Sequence, residues 1–233
     1  MPAAARRAPA ADVPMDARTL GRVVDRLRAA QPAWDLTAIG ALLAAMGRDP
    51  FRILIACLLS LRTRDETTGP AAARLFALAA TPAAILALPP RSIERAIYPV
   101  AFYRTKVRVV RGVCRDLLDR FAGHVPDDLD ALLSLGGVGR KTANLVVTMG
   151  FQRPGVCVDT HVHRITNRLG FVATRTPEQT EQALRRTLPR RHWIGFNDLL
   201  VGFGQNLCHP TSPHCSRCPV ATLCHRVGVV RSR

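Results

Sequence analysis

The chain has 233 residues, 48% of them hydrophobic, enough to bury a real core in one large or two small domains. Its 33 Lys+Arg against 17 Asp+Glu leave a net charge of +16, an excess that points to a polyanionic partner, nucleic acid before a membrane surface. No apolar run nears the roughly 20 residues of a bilayer span, and seven cysteines without a secretory leader point to a reducing compartment, with thiols kept for a metal rather than for disulfides.

Residues 1–14 are rich in Ala, Arg and Pro, and they lack the hydrophobic segment of a signal peptide. They read as a disordered basic arm rather than a transit peptide. Helical spacing then begins: Leu20, Val23, Val24 and Leu27 share one side of a helix over 16–30, ended by Pro32. A short helix over 36–46 is closed by Gly47 and Pro50. The segment 51–61 is apolar nearly all round, which makes it a central, buried helix. Arg62-Thr-Arg-Asp65 is a polar break, with Asp65 placed to cap a helix over 66–79. Thr81 followed by Pro82 opens a helix to 88 by cap and first-turn proline. A further short helix covers 92–101. A long amphipathic one covers 103–121, with Val107, Val110, Val113, Leu117 and Leu118 on its apolar side. Cys57, Cys114 and Cys157 fall on apolar faces and read as core thiols.

After the loop Val125-Pro-Asp127 comes the stretch that organises the chain, Leu133-Ser-Leu-Gly-Gly-Val-Gly-Arg-Lys-Thr-Ala-Asn-Leu-Val-Val147. Glycines at 136, 137 and 139 separate two helical patterns, 129–135 and 142–149, so a helical hairpin with a tight turn spans about 129–149. The turn leaves backbone N–H groups free at the start of the second helix, and these with the helix dipole favour a phosphate. It is not a P-loop, because Arg140 separates Gly139 from Lys141. It is not a dinucleotide fingerprint, because position 142 is Thr and no strand precedes it. An ordinary glycine-capped hairpin remains the plain alternative.

Val156-Cys-Val158 is a short buried connector. Helices follow over 159–169, capped by Gly170, over 176–188, opened by Thr176-Pro, and over 192–202. No segment alternates as a strand does, and no internal repeat is visible. The fold class is therefore all-α.

Cys208, Cys215, Cys218 and Cys224 give C-x6-C-x2-C-x5-C within 17 residues. Four thiols so spaced can converge on zinc or on an iron–sulfur cluster. Structural zinc more often pairs two C-x2-C knuckles, and only one occurs here; spacing leans towards a cubane cluster without deciding. His209, His214 and His225 are expected as exposed loop residues, with zinc ligation the other option.

Lys141 lies at the hairpin, and Asp159 lies 18 residues later at the start of a helix. On one reading Lys141 contacts a phosphate and Asp159 is an N-cap. On the other they are a catalytic pair. An amine near a helix N-terminus in a basic site loses its proton more easily and can attack an electrophilic sugar carbon to form a Schiff base. A carboxylate can stabilise the cationic sugar and shuttle protons during elimination.

Three features in this order resemble one family: Leu135-Gly-Gly-Val-Gly-Arg-Lys-Thr-Ala-Asn144, Val158-Asp-Thr-His161, and the cysteine spacing 6-2-5. Together they are similar to endonuclease III, the helix-hairpin-helix DNA glycosylases that carry a 4Fe-4S cluster, from about Phe51 to the last cysteine. The resemblance implies two helical domains flanking a DNA-binding cleft. One is a six-helix barrel over 43–153 that holds the hairpin. The other, with the iron–sulfur cluster, is formed by 15–42 and 154–233. It makes Lys141 the Schiff-base lysine and Asp159 the catalytic aspartate, with His161 beside it. Gly137, Val138, Gly139 and Arg140 are DNA contacts of the hairpin. Cys208, Cys215, Cys218 and Cys224 are the cluster ligands. The implied activity is that of a bifunctional glycosylase and AP lyase. It flips oxidised pyrimidines or abasic sites out of double-stranded DNA and nicks the strand by β-elimination. The implied protein is a monomer, cytoplasmic and nucleoid-associated if the chain is bacterial.

Some residues depart from the family's pattern. Arg62 stands where Gln is usual, in the loop that fills the gap left by a flipped base, and could bond the orphaned base differently. Phe102 stands where a Leu commonly wedges into the opposite strand, and Ala101 replaces a Gly; an aromatic wedge could stack more strongly. Residues 209–214 carry no Lys or Arg, where the family often has several, leaving Arg217 or Arg226 to compensate. The competing readings are a monofunctional glycosylase for adenine or thymine mismatches, whose relatives usually lack the lysine at 141, and a non-catalytic DNA-binding module.

Overall fold

The structure, a computed structural model, describes residues 14–233. Of the expected basic arm only Pro14 is included; residues 1–13 lie outside the described residues. The fold is all-α, with twelve α-helices and no strand among the described residues. No described helix is long and apolar enough to cross a membrane. The chain divides into two compact units, Leu36–Cys157 and the segment up to Asp35 joined with Val158–Arg233.

In the unit Leu36–Cys157 the core is built around one helix. This is α3, Pro50–Ser60, preceded by α1 (Ala17–Ala30) of the other unit and by α2 (Ala38–Met46). Residues 51 and 53–59 of α3 are all buried, as its nearly continuous apolar sequence requires. Asp49 caps it: Oδ1 accepts from Phe51 N at 2.9 Å and Arg52 N at 3.3 Å, and Pro50 takes the first position, where no N–H is needed.

Helix α4, Asp65–Leu78, starts without a side-chain cap, its N-cap being Arg64. The expected cap by Asp65 is therefore corrected. Asp65 is already inside α4, and its Oδ2 accepts from Ala38 N at 2.9 Å, serving the start of α2 instead. Helix α5, Pro82–Ala87, is capped by Thr81 as expected. Helix α6, Pro90–Ile97, begins and ends earlier than the expected 92–101. Pro90 opens it, and Tyr98, which precedes Pro99, is held extended at ψ 137°. Helix α7 runs Tyr103–Phe121, as its periodicity predicts. Its buried stripe includes Cys114 and Lys106, while Leu118, expected inside, is 38% exposed. All three core thiols, Cys57, Cys114 and Cys157, are buried.

In the other unit α1 buries Leu20, Val23, Val24 and Leu27, and Asp16 caps it by accepting from Thr19 N at 2.7 Å. It packs against the last helix, which in turn packs against the helix that follows Asp159. That last helix is displaced from its expected position of 192–202. Residues Arg190–His192 form a 3-10 turn, and Gly195 then takes φ +78°, which interrupts the chain before the helix Phe196–Asn206 can start. Beyond Asn206 regular structure gives way to a loop tied by its own backbone. Cys208 N donates to Phe203 O at 2.8 Å, and Arg233 N to Pro213 O at 2.8 Å.

Candidate active site

The hairpin is built from α8, Leu129–Leu133, and α9, Arg140–Leu145, which continues as a π-helical turn over Val146–Gly150. Asp128 caps α8 with Oδ1, accepting from Asp130 N and Ala131 N at 3.0 and 2.9 Å. The turn is closed by Val138 N donating to Leu135 O at 3.1 Å. The second helix starts two residues before the expected 142, because Gly139 is extended (φ −91°, ψ 171°) and acts as its N-cap. Gly137 takes φ +87°, and a Cβ there would lie 2.6 Å from Val109 Cγ1 on α7. Space around Gly139 is open. Val138 is 6% exposed and joins the hydrophobic core, which pins the turn to it. Gly137, Gly139 and Arg140 are exposed.

Lys141 is half-buried on the first turn of α9. Its carbonyl accepts from the Cys157 thiol at 3.4 Å. Burial pushes the Cys57 thiol up to about 12, and the positive charge of Lys141 acts against that rise.

Asp159 is the N-cap of α10, Thr160–Leu169. Its Oδ1 accepts from His161 N and Val162 N, both at 2.9 Å. The capping geometry is therefore real, and it uses one carboxylate oxygen, leaving Oδ2 outside both bonds. The cap and a chemical role are compatible. His161 Nδ1 pairs with Arg164 NH2 at 3.1 Å, and its ring lies over Gly204 so closely that a Cβ there would overlap it. Helix α10 packs against both α11 (Pro177–Thr187) and α12 (Phe196–Asn206).

From this aspartate α10 leads to the cysteines. Arg164 donates to Cys208 O at 2.9 Å. Arg168 donates to Cys208 Sγ at 3.5 Å, to His209 O at 2.6 Å and to Pro210 O. Sequence reasoning missed both arginines. Their spacing of four marks a shared helix face, but nothing local links that face to a cysteine 40 residues onward.

Cys208, Cys215, Cys218 and Cys224 are half-buried free thiols that line one apolar cavity with Ile165, Leu169 and Phe203. Burial pushes Cys218 up to about 12 and Cys224 to about 11, and the neighbouring thiols add to both as like charges. No group of three or more His, Cys, Asp or Glu among the described residues is arranged around a single metal ion. Tetrahedral zinc, with Zn–S near 2.3 Å, would draw its sulfurs to within roughly 4 Å of one another. A four-iron cube gives each thiolate its own iron and keeps the sulfurs farther apart. Four thiols lining one cavity can serve as thiolate ligands to a metal centre. His209, His214 and His225, expected as exposed, are half-buried. The first two meet edge to face at 5.2 Å, and the third packs on Gly170.

Arg62 and Phe102 are brought together. Both take left-handed backbone conformations, φ 57° and 56°, and the Arg62 guanidinium lies 5.0 Å over the Phe102 ring. Phe102 is 58% exposed. Of the two arginines expected to compensate near the cysteines, Arg217 is exposed, and Arg226 is half-buried with its Nε out of reach of any acceptor.

A family model described as HhH-GPD superfamily base excision DNA repair protein matches residues 55–190. The chain is similar to "Endonuclease III" of Thermotoga maritima, with 46% identity over 176 residues, covering 76% of this chain and 83% of that one. It is 37% identical over 175 residues to "Endonuclease III" of Escherichia coli (strain K12), covering 75% and 83%. Among solved structures, one described as a trapped endonuclease III–DNA covalent intermediate in an estranged-adenine complex is 33% identical. It has a TM-score of 0.78 and is matched over 90% of this chain and 95% of that one. The chain therefore belongs to the endonuclease III family of the HhH-GPD superfamily of base excision DNA repair proteins.

Proposed function

We propose that the protein is a base-excision DNA glycosylase with AP lyase activity, acting as a monomer on oxidised pyrimidines and abasic sites in duplex DNA. The observation that carries this is the occurrence of both Lys141, at the mouth of the hairpin's second helix, and Asp159, with one carboxylate oxygen outside its capping bonds. A module that only bound DNA would need neither. The covalent protein–DNA intermediate named for the solved relative supports the same reading.

In this mechanism the exposed glycines of the turn accept the phosphate backbone, and the target base is flipped out of the stack. Lys141, as the free amine, attacks C1′ while the C1′–N1 bond breaks, and the base leaves with the bonding electrons and takes up a proton. Asp159 stabilises the positive charge that develops on the sugar. Opening of the sugar ring gives the Schiff base. Loss of a C2′ proton then breaks the C3′–O bond and nicks the strand on the 3′ side. Water hydrolyses the imine and returns Lys141. Cys208, Cys215, Cys218 and Cys224 would hold a 4Fe-4S cluster, which supplies structure to the 208–224 loop rather than electrons to the reaction.

The test is parallel measurement of base release and strand nicking on duplexes bearing thymine glycol. Lys141→Gln should abolish nicking with DNA binding retained. Asp159→Asn keeps an N-cap acceptor but loses the charge. It should slow base release by about 100-fold or more with little change in melting temperature. Unchanged nicking in Lys141→Gln would remove the lysine from the mechanism. Equal losses of binding and catalysis in Asp159→Asn would reduce that residue to a cap. Base release without nicking by the unmodified protein would instead identify a monofunctional glycosylase.

A further inference from the structure

Lys106 is a lysine in the buried stripe of α7, only 7% exposed. Its ammonium has three N–H groups and places all three. It donates to Leu59 O at 2.6 Å, Leu61 O at 2.7 Å and Thr63 Oγ1 at 3.1 Å. Leu59 lies in the last turn of α3 and Leu61 just beyond it, where helix carbonyls have no partner within the helix and negative partial charge collects. Thr63 Oγ1 also accepts from Ala101 N at 3.2 Å. One ammonium and one hydroxyl thus tie the turn that carries Arg62 to the turn that carries Phe102. Lys106 N completes the tie by donating to Phe102 O at 3.0 Å.

Each of those turns holds one non-glycine residue in the left-handed region, a conformation that persists where the surroundings over-determine it. These are the two exposed side chains that stack on one another, Arg62 over Phe102. Burial pulls Lys106 down to about 8, so it is charged at neutral pH and able to make all three bonds.

Resting on the glycosylase reading above, we propose that Lys106, through Thr63, is a positioning residue that sets Arg62 and Phe102 as a single wedge, and that this wedge governs how readily the protein opens a paired lesion. Arg62 and Phe102 are then specificity determinants that act together. Loosening either turn releases both. The effect falls on opening the duplex and not on the chemistry at C1′.

The experiment compares Thr63→Val, which removes the shared hydroxyl at nearly constant shape, with Thr63→Ser, which retains it. Lys106→Met is run beside them. Single-turnover base release is measured on thymine glycol in a fully paired duplex and in an unpaired bubble, where the opening is already made. Thr63→Val should slow release from the paired duplex by about tenfold or more while staying within about twofold on the bubble, and Thr63→Ser should restore the paired rate. Hydrogen exchange on the free protein should rise together over 59–63 and 100–103 in Thr63→Val.

Wild-type rates on the paired duplex, equal slowing on both substrates, or loosening of one segment alone would overturn the proposal. If Lys106→Met does not fold, the Thr63 pair decides. A wild-type protein that releases no base from either substrate would overturn the functional reading instead, and the exchange measurement would still decide the brace.

Discussion

Gly137 and Gly139 stand two residues apart in the same turn and should respond to alanine in opposite ways. Gly137 has φ +87° and meets the side chain of Val109. Alanine there must adopt a left-handed backbone and displace a core methyl, so Gly137→Ala should destabilise the fold by about 1–3 kcal/mol. Gly139 has ordinary φ and open space, so Gly139→Ala should leave the melting temperature nearly unchanged. It should weaken DNA binding instead, because a methyl now stands where a phosphate would approach. Thermal melts with binding titrations separate the two outcomes, and equal destabilisation by both would contradict this account of the turn. The glycine turn and Asp159 as an N-cap were legible in the sequence because both follow from local spacing. Asp65 and Lys106 were not. Asp65 looked like a cap for its own helix, and only the fold brings Ala38 N to it. Lys106 sits in register with Val110 and Val113, which marks it as buried, but its acceptors lie more than 40 residues earlier.

At the scale of elements, the contact of α1 with the turn Arg190–His192 carries a pH dependence. His192 is 3% exposed, lies against Gly21 of α1, and has no hydrogen-bond partner at either ring nitrogen. Burial lowers its pKa from the ordinary 6.5, Arg191 and Arg28 lower it further, and Asp25 opposes them. A base with a depressed native pKa binds fewer protons when folded than when unfolded. Stability is therefore full above pH 6.5 and falls as pH drops below it. Melts across that range should show the loss, and His192→Phe, which stays neutral, should flatten the profile. An unchanged slope in His192→Phe would place the acid sensitivity elsewhere.

Most helices were legible, and the exceptions have physical reasons. Helix α7 matched because nineteen residues of clean periodicity outweigh end effects. Helix α12 was shifted because Trp193 and Ile194 continue the apolar pattern while Gly195 breaks the backbone. The 3-10 turn before it left no signature distinct from a helix start.

For the whole molecule, the excess of positive charge, the two units and the cysteine loop point to one kind of partner and one structural cofactor. With a net charge of +16, binding to DNA releases counterions and weakens steeply with salt. Spacing could not decide between zinc and iron–sulfur at the four cysteines. The four line one apolar cavity, and an iron–sulfur cluster is its proposed occupant. The purified protein should be brown and carry about four irons per chain, and Cys215→Ala should lose both iron and colour. A colourless protein with stoichiometric zinc would refute the cluster. The same substitution should loosen the loop that Arg164 and Arg168 hold by its carbonyls, read as faster proteolysis over 208–224.

Borohydride trapping shows whether Lys141 becomes covalently joined to the sugar. The protein is mixed with duplexes bearing thymine glycol, 5-hydroxycytosine, uracil or an abasic site, then reduced and resolved on a denaturing gel. A covalent protein–DNA adduct should form with the oxidised pyrimidines and the abasic site and be absent with Lys141→Gln. Tight binding with no adduct on any duplex, or an adduct that persists in Lys141→Gln, would contradict this role for Lys141.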